Sequence, residues 1–183
     1  MPTIENSAEI PGLIVVTPDV FEDHRGQYVE TWNARDWDLR DETGEPLRFV
    51  EDDLSCSSAG VLRGLHGDDR TWKLIHCVAG RIRFVVVDMR RSSPAFRHWQ
   101  AFELDDRSRQ QVLVPAGCAN GHYAHTDCIF GYKQSAYYQG QGAQFTLRWN
   151  DPSLDIPWPT DAPVLSDRDA AAPDLPPVGG GVP

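Results

Sequence analysis

Short apolar runs separated by turn residues set the pattern of this chain. Phe145, Leu147 and Trp149 alternate with Gln144, Thr146 and Arg148, the period-2 spacing of a strand with one apolar face. Residues 74–78 and 82–87 are strand-like runs joined by Ala79-Gly80-Arg81, a spacing that predicts a β-hairpin. Further strands are predicted over residues 13–17, 28–32, 49–51, 99–104, 111–114 and 129–134. Turns are predicted at Asp23-His24-Arg25-Gly26, Pro115-Ala116-Gly117 and Gly140-Gln141-Gly142. A single short peripheral helix is predicted over residues 34–40, with Asn33 as its N-cap. Strands this numerous and this evenly spaced predict an all-β sandwich or barrel of jelly-roll type, whose inward positions, in a barrel, either fill with side chains or line a cavity. The expected domain is residues 1–173, with fraying beginning near Ala170 and a low-complexity tail over residues 174–183.

Composition narrows the classes. A length of 183 residues suits one domain, and 40% hydrophobic with 24% charged residues is a globular balance rather than a disordered one. The formal net charge of -10 argues against a nucleic-acid binder, which needs a basic face for phosphates. Apolar runs such as Leu13-Ile14-Val15-Val16 are far too short to span a bilayer, and Met1-Pro2-Thr3-Ile4-Glu5 lacks the basic start of a secretory signal, so a cytoplasmic protein without a membrane partner is expected. Cys56, Cys77, Cys118 and Cys128 match no zinc or redox spacing and are expected to be reduced, small buried thiols.

Candidate chemistry begins at Arg63-Gly64-Leu65-His66. A strictly pleated strand would send Arg63 and His66 to opposite faces, but Gly64 can bend or bulge it and bring both into one cavity. Lys73 follows at the start of the next strand, and a histidine and a lysine facing one pocket can serve as base and charge stabiliser. Taken alone the pair is weak, since lone lysines are usually solvated and lone histidines usually satisfied structurally. Val114 to Tyr123, Ile129 to Tyr138 and Leu165 to Ala170 are three further stretches, each with a bland reading as turn, strand or solvated face.

In combination these stretches resemble the dTDP-4-dehydrorhamnose 3,5-epimerases, cupin-like enzymes acting on nucleotide-linked 4-keto-6-deoxy sugars. The resemblance is carried by Phe21-Glu22-Asp23-His24-Arg25-Gly26, Val61-Leu62-Arg63-Gly64-Leu65-His66, Asp88-Met89-Arg90-Arg91-Ser92-Ser93-Pro94, Val114-Pro115-Ala116-Gly117, Tyr132-Lys133, Trp149-Asn150-Asp151-Pro152 and Leu165-Ser166-Asp167-Arg168-Asp169. It implies that His66 is the general base, Asp169 the carboxylate that orients and charges it, Lys73 a neighbour of the ketone oxygen, and Tyr132 the proton donor on the opposite face of the sugar. Arg25, supplied by a partner subunit, would engage the diphosphate with Arg63 and Arg168, while Phe21, Glu30, Glu51, Asp53, His122 and Tyr138 are further substrate- or nucleotide-binding candidates. The family implies a homodimer, no metal and no cofactor. The chemistry suits these residue types: an imidazole titrates near pH 6.5, a phenol stays protonated near neutrality, and a cation stabilises an enolate only as its charge develops.

Asn120 stands where the dTDP enzymes usually carry histidine, Gly67-Asp68-Asp69 replaces the common aromatic-Gln after His66, and Glu51-Asp52-Asp53 replaces neutral amides with carboxylates. Asn120 is kept as a catalytic candidate that can donate a hydrogen bond but cannot shuttle a proton. These departures resemble the GDP-4-keto-6-deoxy-heptose epimerase branch and tilt the nucleotide towards GDP, with C3, C5 or both as the inverted carbons. A 3,4-ketoisomerase and a non-catalytic sugar-nucleotide binder on the same fold are the alternatives. An iron-dependent cupin is disfavoured because His122 and His125, three apart on a strand, face opposite sides.

Overall fold

The computed structural model describes residues 1–177. Strands β1 (Thr3–Asn6), β2 (Ile14–Thr17), β5 (Glu51–Ser57), β7 (Lys73–Ala79), β10 (Gln111–Val114) and β12 (Cys128–Gln134) form one sheet, in the order β1-β2-β10-β7-β12-β5. A second sheet runs β13-β6-β11-β8-β9, from β6 (Leu62–Gly67), β8 (Arg81–Asp88), β9 (Trp99–Asp105), β11 (Cys118–Ala124) and β13 (Phe145–Thr146). β3 (Val20–Asp23) and β4 (Gly26–Val29) make a separate two-stranded hairpin. All ladder pairings between these strands are antiparallel, giving the jelly roll expected from the strand spacing, of the cupin-like kind that the resemblance implies.

Alternation along each strand divides the core in two directions. Phe84 and Val86 of β8 point between the sheets with Ile75, Val112 and Val114, while Val85 and Val87 point outward and are covered by Leu147, Leu154 and Trp99. On the outer face of the other sheet, Leu74 and Leu113 are covered by Trp37, Leu39 and Trp72. Burial on both faces explains why these strands read as continuous apolar runs. Each such fully buried side chain contributes about 1.5–3 kcal/mol of transfer free energy.

Several expectations need correction. The runs before and after Gly80 are strands but not a hairpin: β7 lies in the six-stranded sheet and β8 in the five-stranded one. Gly80, at φ 84°, turns the chain across the barrel, and a Cβ there would meet the Asp127 carbonyl at 2.2 Å. No helix forms over residues 34–40. Trp37 and Leu39 are both buried, a two-residue spacing that an extended segment satisfies and a helix does not. The strand expected over residues 28–32 ends at Val29, and Trp32 instead packs edge-on against Phe49, at 4.8 Å between ring centroids. The run at residues 49–51 is only the approach to β5. Beyond β13 the predicted alternation persists, since Leu147 exchanges both backbone hydrogen bonds with Leu65 (3.3 and 2.9 Å) and Trp149 is buried. Cys77, Cys118 and Cys128 are buried free thiols, but Cys56 is exposed.

The C-terminal segment is held in place as far as it is described. Leu175 donates its N–H to the buried Asp151 carboxylate at 2.6 Å, Arg148 pairs with Asp174, and Leu175 packs on the outer core. Residues 178–183 of the expected tail lie outside the described residues. Earlier in this segment, Val164 bridges Val61 in parallel, which brings helix α1 (Asp167–Ala170) beside β6. Among the described residues, no helix is long and apolar enough to cross a membrane.

Candidate active site

The two sheets enclose a cavity of about 390 Å³. Five strands line it, and three of them contribute alternate residues to one wall: Glu51, Asp53 and Ser55 from β5, Lys73 and Ile75 from β7, and Phe130, Tyr132 and Gln134 from β12. Arg63 and His66 of β6, with Asn120, Gly121 and His122 of β11, form the other wall. Tyr138, Gln141, Gln144, Ser166, Arg168 and Asp169 complete it.

Arg63 and His66 share the cavity because β6 departs from a regular pleat. The β6–β11 register shifts between Asn120 and His122, and Gly64 has φ 127°. A Cβ on Gly64 would lie 2.6 Å from Gly121 Cα, so glycine is required on both counts.

His66 Nε2 lies 2.6 Å from Asp169 Oδ1, a contact across 103 positions of sequence. Asp169 is only 2% exposed, yet its carboxyl sits below the ordinary 3.8. Burial pushes it up, but the hydrogen bond and charge of His66, the Gly64 N–H and Ser166 together outweigh that. Ser166 is the N-cap of α1, its Oγ accepting the Asp169 N–H at 3.2 Å. With Asp169 ionised, the hydrogen-bond network assigns the neutral ring's proton to Nε2 and leaves the lone pair on Nδ1.

Lys73 is 7% exposed, and burial is the main cause that pushes its pKa below 10.5. Arg168 adds to the shift and Asp68 opposes it. Arg63 donates to Ser57 Oγ (2.8 Å) and the Cys56 carbonyl (3.0 Å), and Arg168 to Thr146 Oγ1 (2.7 and 3.0 Å). Among the described residues none of these three cations is ion-paired. In a chain of net charge -10, unpaired cations gathered in one cavity favour an anionic ligand. On the sheet opposite His66, the Tyr132 hydroxyl is pushed up in pKa, by burial first and then by Asp53, so it stays a proton donor. Asn120 Nδ2 donates to the His66 carbonyl at 3.2 Å.

Glu51 and Asp53 both accept from the Gln134 amide, at 3.0 and 2.9 Å, and Glu51 also takes the Tyr138 N–H at 3.0 Å. Burial and the neighbouring Glu51 raise the Asp53 pKa.

The structure thus gathers His66, Lys73, Tyr132, Asp169, Asn120, Glu51, Asp53, Arg63, His122, Tyr138 and Arg168 around one cavity. It does not bring Arg25, Phe21 or Glu30 to it. Arg25 pairs with Asp23 at the tip of the β3–β4 hairpin, Phe21 lies beside it 61% exposed, and Glu30 follows that hairpin. Their distance from the cavity follows from the hairpin's lack of any ladder to either sheet. Sequence reasoning missed Gln134, Gln144 and Ser166. Gln134 was reachable as the period-2 successor of Tyr132, and Ser166 from the Ser-x-x-Asp capping spacing. Gln144, which accepts from Arg168, had no local signal.

Comparison with known proteins places this geometry. A family model described as dTDP-4-dehydrorhamnose 3,5-epimerase matches residues 7–176. The chain belongs to the dTDP-4-dehydrorhamnose 3,5-epimerase family. It is 37% identical over 165 residues to the dTDP-4-dehydrorhamnose 3,5-epimerase of Shigella flexneri, covering 88% of this chain and 90% of that one. It is 40% identical over 174 residues to that of Mycobacterium tuberculosis H37Rv, covering 91% and 85%. A family member from Legionella pneumophila, solved with dTDP-4-keto-L-rhamnose, superposes with a TM-score of 0.85 at 35% identity, covering 94% of this chain and 92% of that chain. A 3'-monoepimerase from Streptomyces bikiniensis, solved with dTDP-quinovose, also gives 0.85, at 30% identity and coverage of 93% and 87%.

Proposed function

We propose that this family member epimerises a nucleoside-diphosphate-linked 4-keto-6-deoxy sugar at C3, C5 or both. The observation that carries the reading is the placement of His66, backed by Asp169, on one wall of the cavity and Tyr132 on the other. Inversion next to a ketone requires a proton to leave one face of the ring and another to arrive on the opposite face. His66 Nδ1 takes the C–H proton, and the pair of electrons moves to the ketone oxygen as an enolate. Lys73 stabilises that charge only as it develops. Tyr132 then protonates the carbon from its own side and the ketone re-forms. Atoms and charges balance within the sugar and these side chains. Asn120 supplies a hydrogen bond near the base.

Arg63 and Arg168 engage the diphosphate through their planar forks. Arg25, Phe21 and Glu30 join the site in a homodimer, carried in by the hairpin of a second copy. The exposed Phe21 and Tyr28 side chains of that hairpin support this reading. On the nucleotide, Glu51 and Asp53 favour GDP over dTDP, because guanine presents N–H donors that carboxylates can accept. Comparable similarity to a 3,5-epimerase and to a 3'-monoepimerase keeps both regiochemistries within the proposal.

The test is a panel of GDP-, dTDP- and CDP-linked 4-keto-6-deoxy sugars turned over in heavy water and followed by NMR. Deuterium at C3 or C5 of an inverted product is expected. Label confined to transfer between C3 and C4 would make the protein a ketoisomerase, and binding without label would make it a non-catalytic binder.

A further inference from the structure

We propose that His122 is a specificity-determining residue that reads a hydroxyl group of the bound sugar, as a hydrogen-bonding partner that transfers no proton. The proposal rests on the nucleotide-sugar reading above and refines it.

His122 follows Asn120 by two positions on β11 and lines the same cavity as His66 and Tyr132. Its side chain belongs to a residue only 2% exposed, and its Nε2 is buried with no hydrogen-bond partner among the described residues. The ring lies flat on Phe130, with centroids 4.3 Å apart and planes 17° from parallel. That stack constrains the ring's orientation, and the polar neighbour beside it is Arg63, its register partner on β6. Buried polar atoms in folded proteins are overwhelmingly partnered, and Nε2 is an exception that calls for an explanation. The ring's other nitrogen, Nδ1, is not among the buried atoms, makes no hydrogen bond among the described residues, and is the one a ligand in the cavity would meet.

The chemistry of the ring selects the kind of ligand. Burial, and secondarily the Arg63 guanidinium, push its pKa down to about 3, so the imidazole stays neutral at any pH where the enzyme would work. A ring with so low a pKa is too weak a base to deprotonate a C–H bond and is not an acid near neutrality. It offers one N–H donor and one lone-pair acceptor. A hydroxyl, itself both donor and acceptor, fits either tautomer. A phosphate or ketone oxygen only accepts, and Arg63, Lys73 and Arg168 already meet that need in the same cavity. A sugar lacking the hydroxyl would leave the nitrogen unpartnered, and sites built to hydrogen-bond a substrate group discriminate strongly against analogues without it.

The experiment uses the full chain with His122→Phe, which keeps a flat ring for the stack, and His122→Gln, which keeps hydrogen-bonding capacity. Calorimetry measures binding of GDP and dTDP alone, of their 6-deoxy-hexose conjugates, and of conjugates lacking one ring hydroxyl at a time. In the parent, removal of one particular hydroxyl should weaken binding by roughly 10-fold or more. His122→Phe should bind the nucleoside diphosphates within two-fold of the parent yet lose that discrimination. His122→Gln should recover part of it, and it carries the test alone if the phenylalanine variant fails to melt cooperatively. The limbs of the pH–rate profile should be unchanged in both. Equal weakening towards GDP or dTDP alone, an unaltered hydroxyl preference, or a lost pH limb would each overturn the proposal. The binding arms need no turnover. A parent that binds with hydroxyl selectivity but incorporates no deuterium therefore refutes the epimerase reading and leaves this one standing.

Discussion

Replacing Asp169 by asparagine isolates the part of the rate that depends on charge behind the base. The side chain keeps its shape and one acceptor oxygen, but the negative charge 2.6 Å from His66 Nε2 is gone. His66 is neutral before proton abstraction and cationic after it, so the lost attraction is felt only as the reaction proceeds. Charge centres about 4 Å apart attract by about 4 kcal/mol at an effective dielectric near 20. The His66 side chain is 24% exposed, and solvent screening reduces that to about 2–4 kcal/mol. At 1.36 kcal/mol per tenfold, kcat should fall by roughly 30- to 1,000-fold. KM should stay within about three-fold, because Asp169, only 2% exposed and bonded to His66, acts on the base and not on the substrate. The assay is steady-state turnover of the accepted nucleotide sugar, with deuterium wash-in as an independent count of proton abstraction. A kcat loss under about five-fold, or a loss expressed only in KM, would refute the assignment of the dyad.

Tyr132→Phe should depress epimerisation by roughly 100-fold while deuterium exchange into the recovered substrate continues, since abstraction by His66 precedes reprotonation; equal loss of both in NMR would contradict the division of roles. Lys73→Met should abolish measurable turnover yet hold or raise stability at neutral pH by about 1–4 kcal/mol, because it relieves the burial of an unpaired charge. Burial lowers Lys73's folded pKa, so the destabilisation by its charge is whole below that folded value and is lost as pH rises from there to 10.5, and the stability gap in denaturant melts should narrow in alkali. Asp169 has the opposite sign: its depressed pKa makes its contribution whole above pH 3.8 and lost as pH falls below it, so parent and Asp169→Asn melting temperatures should converge in acid. Glu51→Gln with Asp53→Asn should shift the ratio of kcat/KM values from GDP towards dTDP by roughly tenfold or more, measured by competition between the two sugar nucleotides. Gly64→Ala should destabilise by more than about 2 kcal/mol in chemical melts, since the added Cβ meets Gly121 Cα at 2.6 Å with φ at 127°.

Local pattern alone settled that the class is all-β and located β2, β7, β8, β9, β10 and β12, because side-chain periodicity acts over a few residues, but it left β1, β3, most of β5 and β11 unread. It also pointed to Arg63 and His66 as companions, since Gly64 between them is a local signal for a broken pleat. Which strands pair was decided elsewhere. The Gly80 turn is compatible with a hairpin, and only the competition of β7 and β8 for different neighbours sends them to separate sheets. Residues 34–40 carry helix-compatible side chains, but burying Trp37 and Leu39 on the outer sheet face outweighs that weak preference. The His66–Asp169 contact, the neutral buried state of His122 and the stranding of Arg25 on a detached hairpin belong wholly to tertiary structure. Each depends on groups from distant parts of the chain sharing, or failing to share, a space from which water is excluded, and no window of sequence encodes that.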